Sequence, residues 1–287
     1  MRGRLLLPAL ATLVAATAAG CGGGGGNTAG SLAIAIGAAK NSLTQTTLGR
    51  STLTGSTAFG TTSQVFTIGV YDVASKFTFS RVDLPGAGKN ASARQDHLVI
   101  TSSTLYLDPA ETTALPKGKL WLSVPLASPA ATSGRTGRFV AQAAATDPQL
   151  LVGEVAWGAV SAQRRGSSVV VHVPLDRYEV KVDLARALAG ASGPLAAAAR
   201  ISIRHQLGAL GGKGEVDVTI LVDADGRIAQ LQGRAPGLGL GAISTTMSYG
   251  VKVGSPSLPP AAQVVPLASV LNSAAWTAAS PWRFASS

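Results

Sequence analysis

Glu215-Val216-Asp217-Val218-Thr219-Ile220-Leu221-Val222-Asp223-Ala224-Asp225-Gly226-Arg227-Ile228 is the stretch that decides the fold class. Val216, Val218, Ile220 and Val222 point one way; Glu215, Asp217 and Thr219 point the other. That two-residue period marks a strand with one buried and one wet face. Asp223-Ala224-Asp225-Gly226 reads as a tight turn, with Gly226 supplying a positive φ. Residues 227–233 return as the second arm, so the chain builds an antiparallel sheet.

Working outward, residues 243–253 read as a further strand, and Pro259-Pro260 ends the regular structure. Upstream, Pro194 opens a helix with Ala196, Ala199, Ile203, Leu207 and Leu210 on one face and Arg200 and Arg204 elsewhere. Asp183 caps a short helix over 184–189, stopped at Gly190. Residues 167–173 and 177–182 form a strand pair in which His172 alternates with valines. Asp147-Pro148 is a helix start with proline at the first helical position, and Leu150, Leu151 and Val155 give that helix an apolar side. Residues 125–138, rich in Pro, Ala, Ser and Gly, read as a loop.

Between residues 50 and 124 the breaks recur about every ten residues, and Thr, Val, Phe and Tyr are frequent. The candidate strands are 50–59, 64–70, 75–82, 94–100, 104–107 and 120–124. Thr101-Ser102-Ser103 is a tight connection between two of them, so an antiparallel meander is expected. Residues 31–48 read as a helix whose apolar stripe is Leu32, Ile36, Ala39 and Leu43, ended by Gly49.

The first twenty residues have the order of a secretory signal: Arg2 and Arg4, an apolar run over 5–14, then small residues up to Gly20. The apolar run is shorter than the roughly 20 residues a bilayer span needs. Ala18-Ala19-Gly20-Cys21 resembles the lipobox of lipoprotein signal peptidase, departing from it at Ala18, where leucine is commoner. Acylation of Cys21 accounts for the single cysteine of the chain. The rival reading is cleavage after Ala16-Thr17-Ala18, which leaves a soluble secreted protein. Gly22 to Gly26 and the residues to Gly30 form a flexible tether over 21–30. Residues 31–271 then form the domain, and 272–287, with Trp276 and Trp282, a tail of low information.

The formal charge is +10, or +8 once Arg2 and Arg4 are set aside, and 13% of the residues are charged. Lys117/Lys119, Arg135/Arg138 and Arg164/Arg165 are dispersed pairs without interleaved aromatics, so nucleic acid is not the expected partner. An anionic leaflet or ligand suits such a charge.

No catalytic constellation is present. His97, His172 and His205 lack metal-ligand spacing, and no Gly-x-Ser-x-Gly occurs. Gly237-x-Gly239-x-Gly241 lacks the strand-and-helix context of a dinucleotide site. Asp223-x-Asp225-Gly226 begins like a calcium loop but lacks the distal glutamate. Asn90-Ala91-Ser92 fits a glycosylation sequon, a poor guide in a bacterium. No enzyme activity, metal or cofactor is expected.

Three segments in order resemble the LppX/LprG family of actinobacterial lipoproteins, whose fold is similar to the carrier LolA. They are Tyr178-Glu179-Val180-Lys181-Val182-Asp183-Leu184, the hairpin from Val216 to Ile228, and the strand from Ser244 to Val253 with the exit Pro259–Val264. Leu105-Tyr106-Leu107 and Gly118-Lys119-Leu120-Trp121-Leu122 resemble the family's upstream pair. Residues 157–166 and the tail after Leu271 match poorly.

The resemblance implies an α+β fold: a strongly curved antiparallel half-barrel sheet, with helices covering the concave face over an apolar cavity for acyl chains. It implies diacylglyceryl and palmitate modification of Cys21, and a monomer held at the extracytoplasmic face of the cell membrane. A lipid or glycolipid would be bound or carried across the envelope. Leu32, Ile36, Leu43, Ala199, Ile203, Leu207, Val218 and Ile220 would line the cavity. The residues alone supply a two-faced sheet and helices with apolar stripes, which equally make a filled core. The alternative function is a non-transport lipoprotein that scaffolds a protein partner.

Intact-mass analysis of the chain made in a lipoprotein-processing bacterium should show Cys21 as an acylated N-terminus. Cys21→Ser should abolish both the added mass and the cleavage. An unmodified chain beginning at Ala19 would establish the soluble alternative.

Overall fold

A computed structural model describes residues 28–57, 60–84, 94–109, 115–212, 214–238, 241–251 and 257–270. The signal sequence, Cys21, most of the tether, the sequon at Asn90 and the tail lie outside them.

Helix α1 (Thr28–Leu43) is followed by β1 (Thr47–Thr57), β2 (Gly60–Asp72), β3 (Phe77–Leu84), β4 (Arg94–Ile100), β5 (Thr104–Asp108) and β6 (Trp121–Pro125). Helices α2 (Pro129–Thr132), α3 (Gly134–Ala145) and α4 (Pro148–Gly158) come next. After them run β7 (Ala159–Val170), β8 (Val173–Asp183), α5 (Leu184–Gly190), α6 (Ala196–Ala209), β9 (Glu215–Val222), β10 (Ile228–Arg234), β11 (Ala242–Tyr249) and β12 (Val264–Pro266).

All twelve strands join one curved, unclosed sheet in the order β12-β6-β5-β4-β3-β2-β1-β11-β10-β9-β8-β7. It consists of two antiparallel meanders, β1 to β6 and β7 to β11, sewn together where β1 pairs β11. The first meander is the one the spacing of breaks predicts. Strand β9 alternates buried and exposed side chains along its first half, as its pattern demands. Gly226 closes its turn at φ 69°. The fold is α+β, with the helices gathered on one face of the sheet.

Helix α4 sits at the centre of that helical layer. Asp147 caps it by accepting from the Gln149 N–H at 2.8 Å, and Pro148 takes the first helical position. The sequence suggests one apolar side; instead, every residue from Pro148 to Gly158 is buried except the half-buried Trp157. A helix surrounded in this way is apolar nearly all round. It meets α1, α3, α5, α6 and strands β1, β7, β8 and β10. Two paired glycines, Gly49 and Gly69, make this seat possible. A methyl group at Gly49 would lie 2.4 Å from Pro148 Cγ, and one at Gly69 would lie 2.9 Å from Ser80 Oγ.

Several sequence expectations are corrected. Gly49 does not end the first helix, which stops at Leu43; Gly49 lies within β1, where α4 needs a residue without a side chain. The buried face of α1 is Ser31, Ala35, Ala38, Ala39 and Ser42, a face of small residues turned from the expected stripe, because α1 packs closely on β7 and α4. Residues 125–138 are not all loop. Ser128 caps α2 ahead of Pro129, and α3 begins at Gly134. His172 is not within a strand: it shares with Val171 the left-handed turn that joins β7 to β8. Regular structure continues past Pro259-Pro260 as β12, which pairs parallel to β6. Leu210 ends its helix exposed rather than in the apolar stripe.

Gly49→Ala should destabilise the fold by about 1–3 kcal/mol, because the sheet and Pro148 cannot both keep their places. Gly37→Ala, at an exposed α1 position with nothing within 4 Å of the added atom, should instead stabilise it by up to about 1 kcal/mol. Urea unfolding of both variants checks the contrast; a neutral Gly49→Ala would mean that α4 does not seat there.

Candidate functional site

The concave face between α1, α6 and the sheet is where a ligand cavity is expected. Ala199, Ile203, Val218 and Ile220 are buried within the main hydrophobic core, and Leu32, Ile36, Leu43 and Leu207 are partly buried against it; α6, which carries Ala199, Ile203 and Leu207, packs on α3, α5 and α4. All eight expected lining residues thus belong to the chain's hydrophobic core or pack against it. The same core contains Leu150, Leu151, Val152 and Val155 of α4. A crevice at the head of α4, lined by Thr47, Gly49, Gly69, Val70, Tyr71, Asp147, Pro148 and Gln149, leaves no space for a water molecule. Helix α4 packs against β1, β7, β8 and β10 of the sheet and against α1, α3, α5 and α6.

The contact between α4 and the sheet is not uniformly apolar. The concave rows of the sheet carry Thr245, Ser51 and Thr67 side by side, with Ser80 and Thr78 one and two rows along. Ser51 and Thr245 satisfy each other at 2.8 Å. Thr67 Oγ1, Ser80 Oγ and both amide atoms of Gln149 have no hydrogen-bond partner among the described residues, and Gln149 is only 2% exposed. Each such group loses its hydration without compensation, a cost of about 1–3 kcal/mol.

Two carboxyls are buried along α4, Asp147 beside these hydroxyls and Glu154 against Gln206 of α6. Burial pushes Asp147 up to about 6, against the opposing pull of the Thr78 hydroxyl and the Gln149 and Leu150 amides. Thr78 approaches the carboxyl but falls short of hydrogen-bond geometry with it. Burial pushes Glu154 further, to about 7, although Gln206 Nε2 donates to its Oε1 at 2.9 Å. Gln206 is itself fully buried, with its carbonyl oxygen unpartnered. Desolvation and the nearby Arg138 lower the pKa of His205 on α6, and its Nε2 likewise has no partner.

Asp147 lines the crevice that has no room for water, and Glu154 is 6% exposed. Among the described residues no three potential metal ligands come together, and no helix is long and apolar enough to cross a membrane.

Sequence reasoning missed Asp147 beyond its capping role, and missed Gln149, Glu154 and Gln206 altogether. One signal was present: Glu154 interrupts the apolar run from Leu150 to Ala156. An ionisable residue within such a run marks either a wet face or a buried charge.

No family model matches the chain, and no curated protein matches it in sequence. Among solved structures it is similar to LprF from Mycobacterium bovis, at 12% identity and a TM-score of 0.45, over 80% of this chain and 97% of that one. It is also similar to the Mycobacterium tuberculosis lipoprotein LppX, at 12% identity and a TM-score of 0.42, over 79% and 98%. A DUF1329 family protein from Desulfovibrio piger follows at 9% identity and a TM-score of 0.32, over 79% and 95%.

A carboxyl with a raised folded-state pKa favours the fold when protonated. For Glu154 that contribution is complete below its ordinary value of 4.5 and is lost as pH rises through about 7. The gap corresponds to roughly 3 kcal/mol. Stability to urea should therefore fall as the pH is raised across that window, and Glu154→Gln should reduce the slope and leave the share that Asp147 contributes. A wild-type chain equally stable at both ends would show that Glu154 is not buried as described.

Proposed function

We propose that the chain is an envelope lipoprotein, acylated on Cys21 and held at the outer face of the cytoplasmic membrane. Its half-barrel takes up the acyl chains of a lipid or glycolipid in the layer that α4 fills in this conformation. The observation that carries the proposal is α4 itself, a helix enclosed on every side whose burial strands Gln149 and desolvates Asp147 and Glu154.

Outward displacement of α4 returns those polar groups to water. It also bares the apolar concave face, which an acyl chain can cover again at about 0.8 kcal/mol per methylene. Leu32, Ile36, Leu43, Ala199, Ile203, Leu207, Val218 and Ile220 would line the space. The polar patch of Thr67, Thr78 and Ser80 lies where α4 starts, on the side suited to a headgroup. Carriage of this kind needs no catalytic group.

The filled interior also favours a second reading, a scaffolding lipoprotein that holds a protein partner on its surface. The two readings differ in whether the interior ever opens.

Extraction of the chain purified from its native membrane should yield about one equivalent of bound lipid, and the delipidated chain should take up a fluorescent fatty acid saturably. Gln149→Leu removes the unpaired amide and should raise stability by about 1 kcal/mol or more, while weakening uptake. Absence of both extracted lipid and uptake would leave the scaffold reading standing.

A further inference from the structure

Strands β7 and β8 run past the rest of the sheet. Pairing of β8 with β9 stops at Asp176–Val222, whereas β7 and β8 continue through Ser168–Leu175, Val169–Pro174 and Val170–Val173. Leu175 is buried at the base, so the last two residue pairs and the turn project as a two-stranded ribbon, about 7 Å long at 3.3 Å per residue. Its end is apolar and bare: Val169 is 69% exposed, Val171 86% and Val173 50%. Residues 167–175 contain no Asp, Glu, Lys or Arg.

The turn at the tip is built against local preference. Val171 and His172 both take positive φ, 49° and 64°, the conformation of a two-residue hairpin turn that asparagine and glycine favour. A β-branched residue there is strained. Turn stability would favour asparagine at 171, so the valine is held for another reason.

Behind the tip every described charge is matched. Arg164 pairs with Asp176 at 2.6 Å, and Arg165 with Glu179 at 2.8 Å. Arg177 lies 3.8 Å from Glu179, and Arg227 holds both Asp223 and Asp225 of the neighbouring turn. No bare carboxylate meets whatever the tip enters, and the chain without Arg2 and Arg4 of the signal sequence carries +8.

We propose that the β7–β8 tip is a membrane-inserting wedge that docks the domain on an anionic lipid bilayer through Val169, Val171 and Val173. The length of the ribbon matches the roughly 5–10 Å depth of the headgroup and acyl boundary. The net positive charge draws the domain to an anionic leaflet. Three valines on a narrow ribbon suit penetration of a fluid surface, whereas a protein interface needs a broad complementary patch. The wedge does not depend on acylation of Cys21 or on lipid carriage, and it gives the domain a second, reversible hold on the surface.

The test uses the full chain in phosphatidylglycerol and phosphatidylcholine vesicles, with an environment-sensitive fluorophore on His172→Cys and, as a control, on Gln232→Cys. The tip label should shift to the blue and be quenched by lipids carrying a doxyl group on the acyl chain; the control label should do neither. Val169→Thr, Val171→Asn and Val173→Thr together should abolish the quenching. Val171→Asn relieves the turn, so this variant should unfold no more easily than the parent, which separates lost insertion from lost folding. A tip label that stays in water, or one already shielded without vesicles by a protein contact, would overturn the proposal.

Discussion

Pro148 resting on two glycines is the contact from which the rest of the structure follows. A curved sheet of twelve strands presents a concave apolar face that must be covered, and the cover here is a helix laid directly on the backbone. Gly49 and Gly69 face each other across β1 and β2, and together they clear the space that the proline ring fills. With α4 seated there, α1 and α5 close against it on its flanks. The small-residue face of α1 then becomes intelligible, since Ala35, Ala38 and Ala39 let that helix approach closely.

The seat has a cost that the same residues reveal. Bringing the start of α4 onto the sheet drives Asp147 and Gln149 against a row of threonine and serine hydroxyls, only some of which are satisfied. Further along, Glu154 is buried with a single donor, Gln206, itself incompletely bonded. A core selected only for stability would hold apolar residues at these positions, because a half-satisfied polar network is worse than an apolar one. The unpartnered amide of Gln149 and the two desolvated carboxyls, Asp147 and Glu154, on or capping one helix are the physical basis for treating that helix as exchangeable.

Much of the scaffold was legible because its signals are local. The alternation of β9, the Asp223–Gly226 turn and the caps at Asp147 and Asp183 each follow from a few neighbouring residues, and the structure reproduces them. What was not legible depends on partners distant in sequence. Gly49 looks like a helix stop until Pro148 lies on it. The face of α1 is set by what it packs against, so the larger side chains Leu32, Ile36 and Leu43 sit at the margin of its contact. The start of α3 was hidden within residues 125–138, rich in Pro, Ala, Ser and Gly, although Ser128-Pro129 is a start signal for the short turn before it. Strand β12 is three residues long and exists only because β6 offers an edge. The candidate site divides in the same way: the apolar stripes of its helices and strands followed from periodicity, their role as a lining only from the resemblance, and the buried polar groups of α4 from neither.

The central claim is that α4 and an acyl chain compete for one place, and amide hydrogen exchange along α4 tests it most directly. On loading with lipid, the amides of residues 148–158 should exchange faster while those of β9 and β10 keep their protection. If α4 becomes as protected as the sheet, or more so, the ligand does not take its place and the account is wrong.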